Sequence, residues 1–230
     1  MIPGHVAIIL DGNRRFARKL ALDPKKGHEF GYEKVKELLD WCKDLGVKEL
    51  TFYAFSMQNF NRPKDELDYL MNLIRKAFNT FCEDPRVNEY GIKVNVIGRY
   101  HLFPKDVVDA IHKVVNDTKH NNKFVLNFAV AYGGKEEFTD TVKKIALKVA
   151  SGELNPEDID EKVVQDNLYM ASEPDLIIRT GGEKRTSNFL MWQSSYSEWF
   201  FIDKTWPEFT REDLVEIVEE FEKRDRRFGK

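Results

Sequence analysis

Three short segments carry residues whose types suit the binding of phosphate anions beside a divalent cation. The first is Asp11-Gly12-Asn13-Arg14-Arg15-Phe16, set between an apolar run and a helical pattern. Gly12 permits a tight turn, the free N–H groups of the helix start point outward, and two guanidiniums stand in its opening turn, which makes a cradle for a diphosphate. Positive side chains at a helix start oppose its dipole, so a bound anion would give them a reason. Asp11 offers the kind of hard carboxylate oxygen that Mg²⁺ takes together with phosphate oxygens. The string is neither a Walker loop nor a dinucleotide fingerprint, and alone it reads equally as a polar turn with solvated arginines.

The second segment places Ser56, Gln58, Asn59 and Arg62 in a polar loop directly after Phe52-Tyr53-Ala54-Phe55, with Pro63 then opening a helix. A capped turn is its plain structural reading. In the third, Arg179 ends an apolar run, two glycines follow, and Arg185 and Ser187 come next as a second anion-binding arrangement. Two such sites imply two phosphorylated substrates. Glu198, near the start of the last apolar run, is either a second carboxylate for the metal or an exposed strand-edge residue. His28, close after Lys25 and Lys26, suits a phosphate donor or a surface loop, whereas His5, His101, His112 and His120 show no metal-ligand spacing.

The elements that must position these residues follow from hydrophobic periodicity. Short runs rich in Val, Ile, Leu and Phe alternate with longer amphipathic stretches, the pattern of an α/β domain with a central, mainly parallel sheet flanked by helices. Six strands are predicted, at His5–Leu10, Glu49–Phe55, Lys93–Gly98, Phe124–Val130, Asp175–Arg179 and Trp199–Ile202. Helical faces are predicted from Val35, Leu38, Leu39, Cys42 and Leu45, stopping at Gly46; from Leu67, Leu70, Ile74, Phe78 and Phe81; and from Leu214, Ile217, Val218 and Phe221. Cys82–Gly91, with Pro85 inside it, reads as a surface loop. In such a sheet ligands bind beyond the carboxyl ends of the strands, where the three polar segments fall.

A chain of 230 residues with no linker composition is expected to form one domain over residues 1–230. Its net charge of −3 gives no general attraction to nucleic acid, so anions must be met by local clusters of Arg and Lys. Cys42 and Cys82 lie among apolar residues at helical spacing and read as free buried thiols in a reducing compartment. No apolar run reaches the ~20 residues of a membrane span. A cytoplasmic protein is expected, with peripheral contact to a membrane left open.

Taken together, HVAIILDGNRRFA, FYAFSMQNFNRP, NFAVAYGG, DLIIRTGGEKRTSNFLMWQSSYSEWFF and the terminal RDRRFG resemble the cis-prenyltransferase family of undecaprenyl diphosphate synthase, in the same order and across nearly the whole chain. The resemblance implies Mg²⁺-dependent condensation of isopentenyl diphosphate with an allylic prenyl diphosphate to give a longer cis-polyprenyl diphosphate, usually by a homodimer. It assigns Asp11 to the metal, Gly12, Asn13, Arg14, Arg15, Phe16, His28 and Arg62 to the allylic side, and Asn59 to proton removal with Ser56 nearby. Arg179, Arg185 and Ser187 match the isopentenyl diphosphate site, Glu198 the second metal ligand, and Arg227-Phe228-Gly229 a tail reaching the active site across the dimer interface. Arg14 stands where bacterial members have Gly, Gln58 where a glutamate is usual, and Phe60 where a tryptophan is customary. These departures bear on the allylic substrate and the acceptor. Two other readings compete, a non-catalytic accessory subunit and a phosphate-ester hydrolase or nucleotide-binding domain.

Overall fold

All five residues of β1 (His5–Ile9) are buried, as are all four of β5 (Leu176–Arg179), because both lie inside a sheet covered on its two faces. They join β2 (Glu49–Ser56), β3 (Ile92–Ile97), β4 (Phe124–Tyr132) and β6 (Glu198–Phe201) in one sheet of order β3-β4-β2-β1-β5-β6. Each of the five pairings is parallel, so the expected mainly parallel sheet is wholly so. The computed structural model describes residues 2–224.

The predicted helical faces are packed as expected. Helix α1 is Asn13–Lys19, and α2 (Gly27–Leu45) buries Val35, Leu38, Leu39 and Cys42 before stopping at Gly46 in the left-handed conformation. Helix α3 (Lys64–Glu83) buries Leu70, Phe78 and Phe81 and begins one residue after Pro63, which serves as its N-cap. Residues 82–91 are not a loop. Asp84 caps a short helix α4 (Pro85–Glu89) by accepting from the Arg86 N–H at 3.0 Å, with Pro85 at the first helical position, where its missing N–H costs nothing. Helices α5 (Lys105–Thr118), α6 (Gly134–Ala150), α7 (Glu161–Asn167) and α8 (Arg211–Lys223) complete the chain, and α8 buries all four of its predicted residues.

The larger apolar core lies on the sheet face under α2, α3, α5 and α8, and a smaller one around Ile9, Tyr53, Ile177, Phe189 and Leu190 covers the other. Two details place the site. The strand order reverses direction between β1 and β5, which opens a crevice beyond their carboxyl ends. Helix α2 also begins hard against the turn that starts α1: a Cβ on Gly27 would fall 1.9 Å from the Asn13 carbonyl oxygen, so only glycine lets the two helices approach this closely.

Candidate active site

Asp11 follows β1 at the crevice, and its turn is fixed by Thr180. The Asp11 N–H donates to Thr180 Oγ1 at 3.0 Å, and that hydroxyl donates to the Asp11 carbonyl at 2.8 Å. Gly12 caps α1 at φ 101°, and a Cβ there would lie 2.7 Å from Thr205 Cβ, so the position needs glycine for both backbone and space. The Asp11 carboxylate accepts from Arg179 Nη2 at 2.9 Å and from Arg15 Nη2 at 3.2 Å. Arg179, at the end of β5, is 3% exposed and also donates to Ser187 Oγ at 2.6 Å and to the Arg185 carbonyl. Two arginines thus converge on one carboxylate, which stays partly exposed.

A second cluster surrounds Glu66, a residue that the sequence reading passed over. It lies in the first turn of α3 and is 7% exposed, yet its carboxylate meets Arg62 at 3.0 Å, Arg14 at 3.4 Å and His28 Nε2 at 3.7 Å. Burial, reinforced by the Arg62 charge, pushes the His28 imidazole down to about 4, so the ring is neutral at neutral pH and its contact with Glu66 is not an ion pair. Arg62 can only donate, so its 3.5 Å contact has His28 Nε2 accepting and leaves the ring proton on Nδ1. Burial likewise lowers the Arg62 pKa from its usual value. The available signal was the spacing of Arg62 and Glu66 four residues apart at a helix start.

Between these clusters the backbone departs from regular geometry. The β2–β4 register shifts around Phe55, and this irregularity leaves Ala54 exposed to the cavity within an otherwise buried strand. Ser56 then caps a 3-10 turn, Met57–Asn61, in which Asn59 Oδ1 accepts the Ser56 N–H at 2.9 Å. Across the crevice Ser187, Asn188 and Leu190 all have left-handed φ angles of 44–64°, a strained run for residues with side chains. Neighbouring groups hold it in place: Tyr53 stacks on Phe189 at 4.6 Å and donates to the Ser187 carbonyl, while Asn188 Oδ1 accepts the Lys135 N–H at 2.8 Å.

A cavity of 520 Å³ joins both clusters. Asp11, Gly12, Asn13, Arg14, Arg15, His28, Ser56, Asn59, Arg62, Arg179 and Ser187 all line it, and beyond them it continues between α2 and α3 past Val35, Leu70, Ile74, Phe78 and Phe81. It is a charged mouth on an apolar interior. The structure does not bring every expected residue to it. Phe16 packs edge-on against Phe30, Gln58 is exposed, Phe60 packs between Phe55 and Phe103, and the Arg185 side chain pairs with Glu183. Glu198 opens β6 in register with Leu176, at the amino ends of the strands, and bonds Arg224 at 2.6 Å. Within one chain it is therefore at the opposite end of the sheet from Asp11. Arg227 and Gly229 lie outside the described residues.

The chain matches, over residues 9–229, the family model described as "Putative undecaprenyl diphosphate synthase". It is a member of the cis-prenyltransferase family. The tritrans,polycis-undecaprenyl-diphosphate synthases (geranylgeranyl-diphosphate specific) of Pyrococcus horikoshii and Methanocaldococcus jannaschii are each 51% identical to this prenyltransferase, over all of its length and 88% and 83% of theirs. Among solved structures, lavandulyl diphosphate synthase from Lavandula x intermedia, in complex with dimethylallyl diphosphate, superposes with a TM-score of 0.95 at 36% identity, covering 100% of this chain and 99% of that one. A probable undecaprenyl diphosphate synthase from Campylobacter jejuni gives 0.82 at 30% identity, covering 99% of each chain.

The fit of the prenyltransferase to Mg²⁺ follows from its donors. No group of three or more His, Cys, Asp or Glu side chains that could hold a metal occurs among the described residues. Asp11 is a single carboxylate at an arginine-lined mouth, which suits an ion that commonly takes one or two carboxylates and completes its shell with water and substrate phosphate.

Proposed function

We propose that this prenyltransferase extends an allylic prenyl diphosphate with isopentenyl diphosphate, in the presence of Mg²⁺ held by Asp11, to give a longer cis-polyprenyl diphosphate that serves as a lipid carrier precursor. The observation that carries this reading is one continuous cavity, with two arginine clusters at its mouth and an apolar interior between α2 and α3. Hydrocarbon prefers such an interior by ~0.8 kcal/mol per buried CH₂, so a growing chain would be drawn inward while its charged head stays at the mouth. The names of the relatives favour geranylgeranyl diphosphate as the primer.

Arg14, Arg15, Arg62 and neutral His28 would hold the allylic diphosphate, and Arg179, Arg185 and Ser187 the second one. A bound Mg²⁺ supplies stabilisation of the charge on the departing diphosphate. The allylic C–O bond breaks, the isopentenyl double bond forms the new C–C bond, and a proton leaves the isopentenyl unit to set the cis double bond. Asn59 is a poor base and its carbonyl already holds the Ser56 N–H, so its part is to shape the loop while a diphosphate oxygen takes the proton. Alignment of the two reactants supplies much of the rate.

The separation of Glu198 from Asp11 along the sheet supports a homodimer in which Glu198, with Arg227 and Gly229, comes to the metal and diphosphate from the second copy. Exposed Phe138 and Val142 on α6, with exposed Met191 in the loop between β5 and β6 that packs against the start of α6, supply an apolar face for that pairing. No helix among the described residues is long and apolar enough to cross a membrane, which is compatible with a cytoplasmic protein in peripheral contact with one.

Incubation with labelled isopentenyl diphosphate, Mg²⁺ and primers from dimethylallyl to geranylgeranyl diphosphate tests the proposal. The expected result is a metal-dependent ladder of products, lost in Asp11→Ala with folding unchanged. Absence of elongation with every primer would indicate an accessory subunit, and release of phosphate alone a hydrolase.

A further inference from the structure

Helix α6 draws its cap from another part of the chain. Its own N-cap residue, Gly133, has no side chain to offer, yet the first N–H groups of this 17-residue helix need acceptors. Asn188, on the loop between β5 and β6, supplies them: its carbonyl takes the Gly134 N–H at 2.7 Å and its Oδ1 the Lys135 N–H at 2.8 Å. In return Asn188 Nδ2 donates to Glu136 Oε2 at 3.0 Å. The exchange is reciprocal, as in a capping box, but the capping residue comes from a distant segment. Both glycines of the Tyr132-Gly133-Gly134 sequence make room for it, since a Cβ on Gly133 would fall 2.1 Å from Glu136 Oε2 and one on Gly134 2.7 Å from Met191 Cγ.

A second grip lies one residue further along α6. Glu137 is buried, and its carboxylate accepts from Gln193 Nε2 at 3.1 Å, from the Tyr169 N–H at 2.9 Å and from the Tyr132 hydroxyl. The first turn of α6 thus holds the loop at Asn188 and again at Gln193. Between these points the chain keeps left-handed φ angles that need such partners to persist. Ser187 and Asn188 are adjacent but face opposite ways. Ser187 lines the cavity, where its Oγ accepts from Arg179 Nη1 at 2.6 Å, whereas the Asn188 side chain lies on α6. With both residues left-handed, at φ 51° and 64°, the seating of Asn188 fixes the direction of Ser187.

We propose that Asn188, locked to the first turn of α6, is a positioning residue for isopentenyl diphosphate: it holds the Ser187 hydroxyl, and with it the Arg179 guanidinium, where the second diphosphate would rest. This rests on the proposed assignment of that diphosphate to Arg179, Arg185 and Ser187. Arg14, His28 and Arg62, proposed for the allylic diphosphate, are carried by α1, α2 and the turn before α3 instead.

Calorimetric binding of isopentenyl diphosphate, with an unreactive thiolo analogue of the primer present, and steady-state elongation with each substrate varied test it. Asn188→Ala should weaken isopentenyl diphosphate binding and raise its KM about tenfold or more, leaving the KM for the primer within about twofold. Ser187→Ala should show the same split, and Ser187→Ala/Asn188→Ala should be little worse than either, because the two act as a unit. Asn188→Asp/Glu136→Gln exchanges donor and acceptor across the same pair and should recover most of the loss. If Asn188→Ala does not fold, Asn188→Asp alone, which sets two carboxylates face to face, should carry the split, and adding Glu136→Gln should relieve it. Thr210→Ala removes an ordinary cap from α8 and should lower the melting temperature with both KM values unchanged. Unchanged isopentenyl diphosphate binding in the Asn188 variants, equal rises in both KM values, multiplying effects in the Ser187 and Asn188 double variant, or the same split in Thr210→Ala would each overturn the proposal. A wild type that binds no isopentenyl diphosphate, or a Ser187→Ala that weakens only the primer, would overturn the proposed function and this proposal with it.

Discussion

His28 carries a protonation state set by its neighbours. Its ring is buried against Arg62, Glu66 and Arg14, and its pKa falls from 6.5 to about 4 in the folded chain. Between these values the unfolded chain binds a proton that the folded one refuses, so stability is complete above pH 6.5 and is lost as the pH falls toward 4. The loss reaches about 3 kcal/mol at the lower end. Urea unfolding from pH 7 to pH 4 should show this slope in the wild type and a smaller one in His28→Gln; equal slopes would mean that the ring is not held neutral. A neutral ring at the cavity mouth also adds no charge repulsion to the two arginines beside it.

At the scale of elements, the approach of α2 to the α1 turn sets where the first diphosphate would rest. Gly27→Ala puts a methyl group against the backbone oxygen of Asn13, so the helices must separate, at about 1–3 kcal/mol. The melting temperature should fall by several degrees, and affinity for inorganic diphosphate should fall with it, since Asn13 and Arg14 belong to both features. A lower melting temperature with unchanged affinity would detach the site from this packing. The strands were legible to within one or two residues because buried parallel strands read as unbroken apolar runs, and the helical faces because period 3.6 is explicit in Leu70 to Phe81 or Leu214 to Phe221. Pro85 misled because a proline ends one helix and starts another equally well, and the Asp84 that decided the matter is also a common turn residue. Most mouth residues were found because they follow strands. Glu66 was missed because a glutamate in a first helical turn is ordinary, and only the fold brings Arg14 and His28 to it.

For the whole molecule, the sheet puts Glu198 and Asp11 at opposite ends of one protomer, so a metal site using both needs two copies. Asp11→Ala and Glu198→Ala should each be inactive alone, and unfolding and refolding them as a mixture should restore about a quarter of wild-type activity, because half of the dimers are hybrids with one intact site. No recovery would return Glu198 to the exposed strand edge. The pairing of charges at the mouth has a further meaning. Arg15 and Arg179 already rest on Asp11, and Arg14 and Arg62 on Glu66, so a diphosphate bound as proposed would displace resident carboxylates instead of finding bare cations. Binding would then be an exchange of one counter-ion for another, and the same exchange in reverse would ease the product out. Its affinity should depend on ionic strength less steeply than four arginines suggest, and Glu66→Gln, which frees two of them, should make that dependence steeper and departure of the product slower.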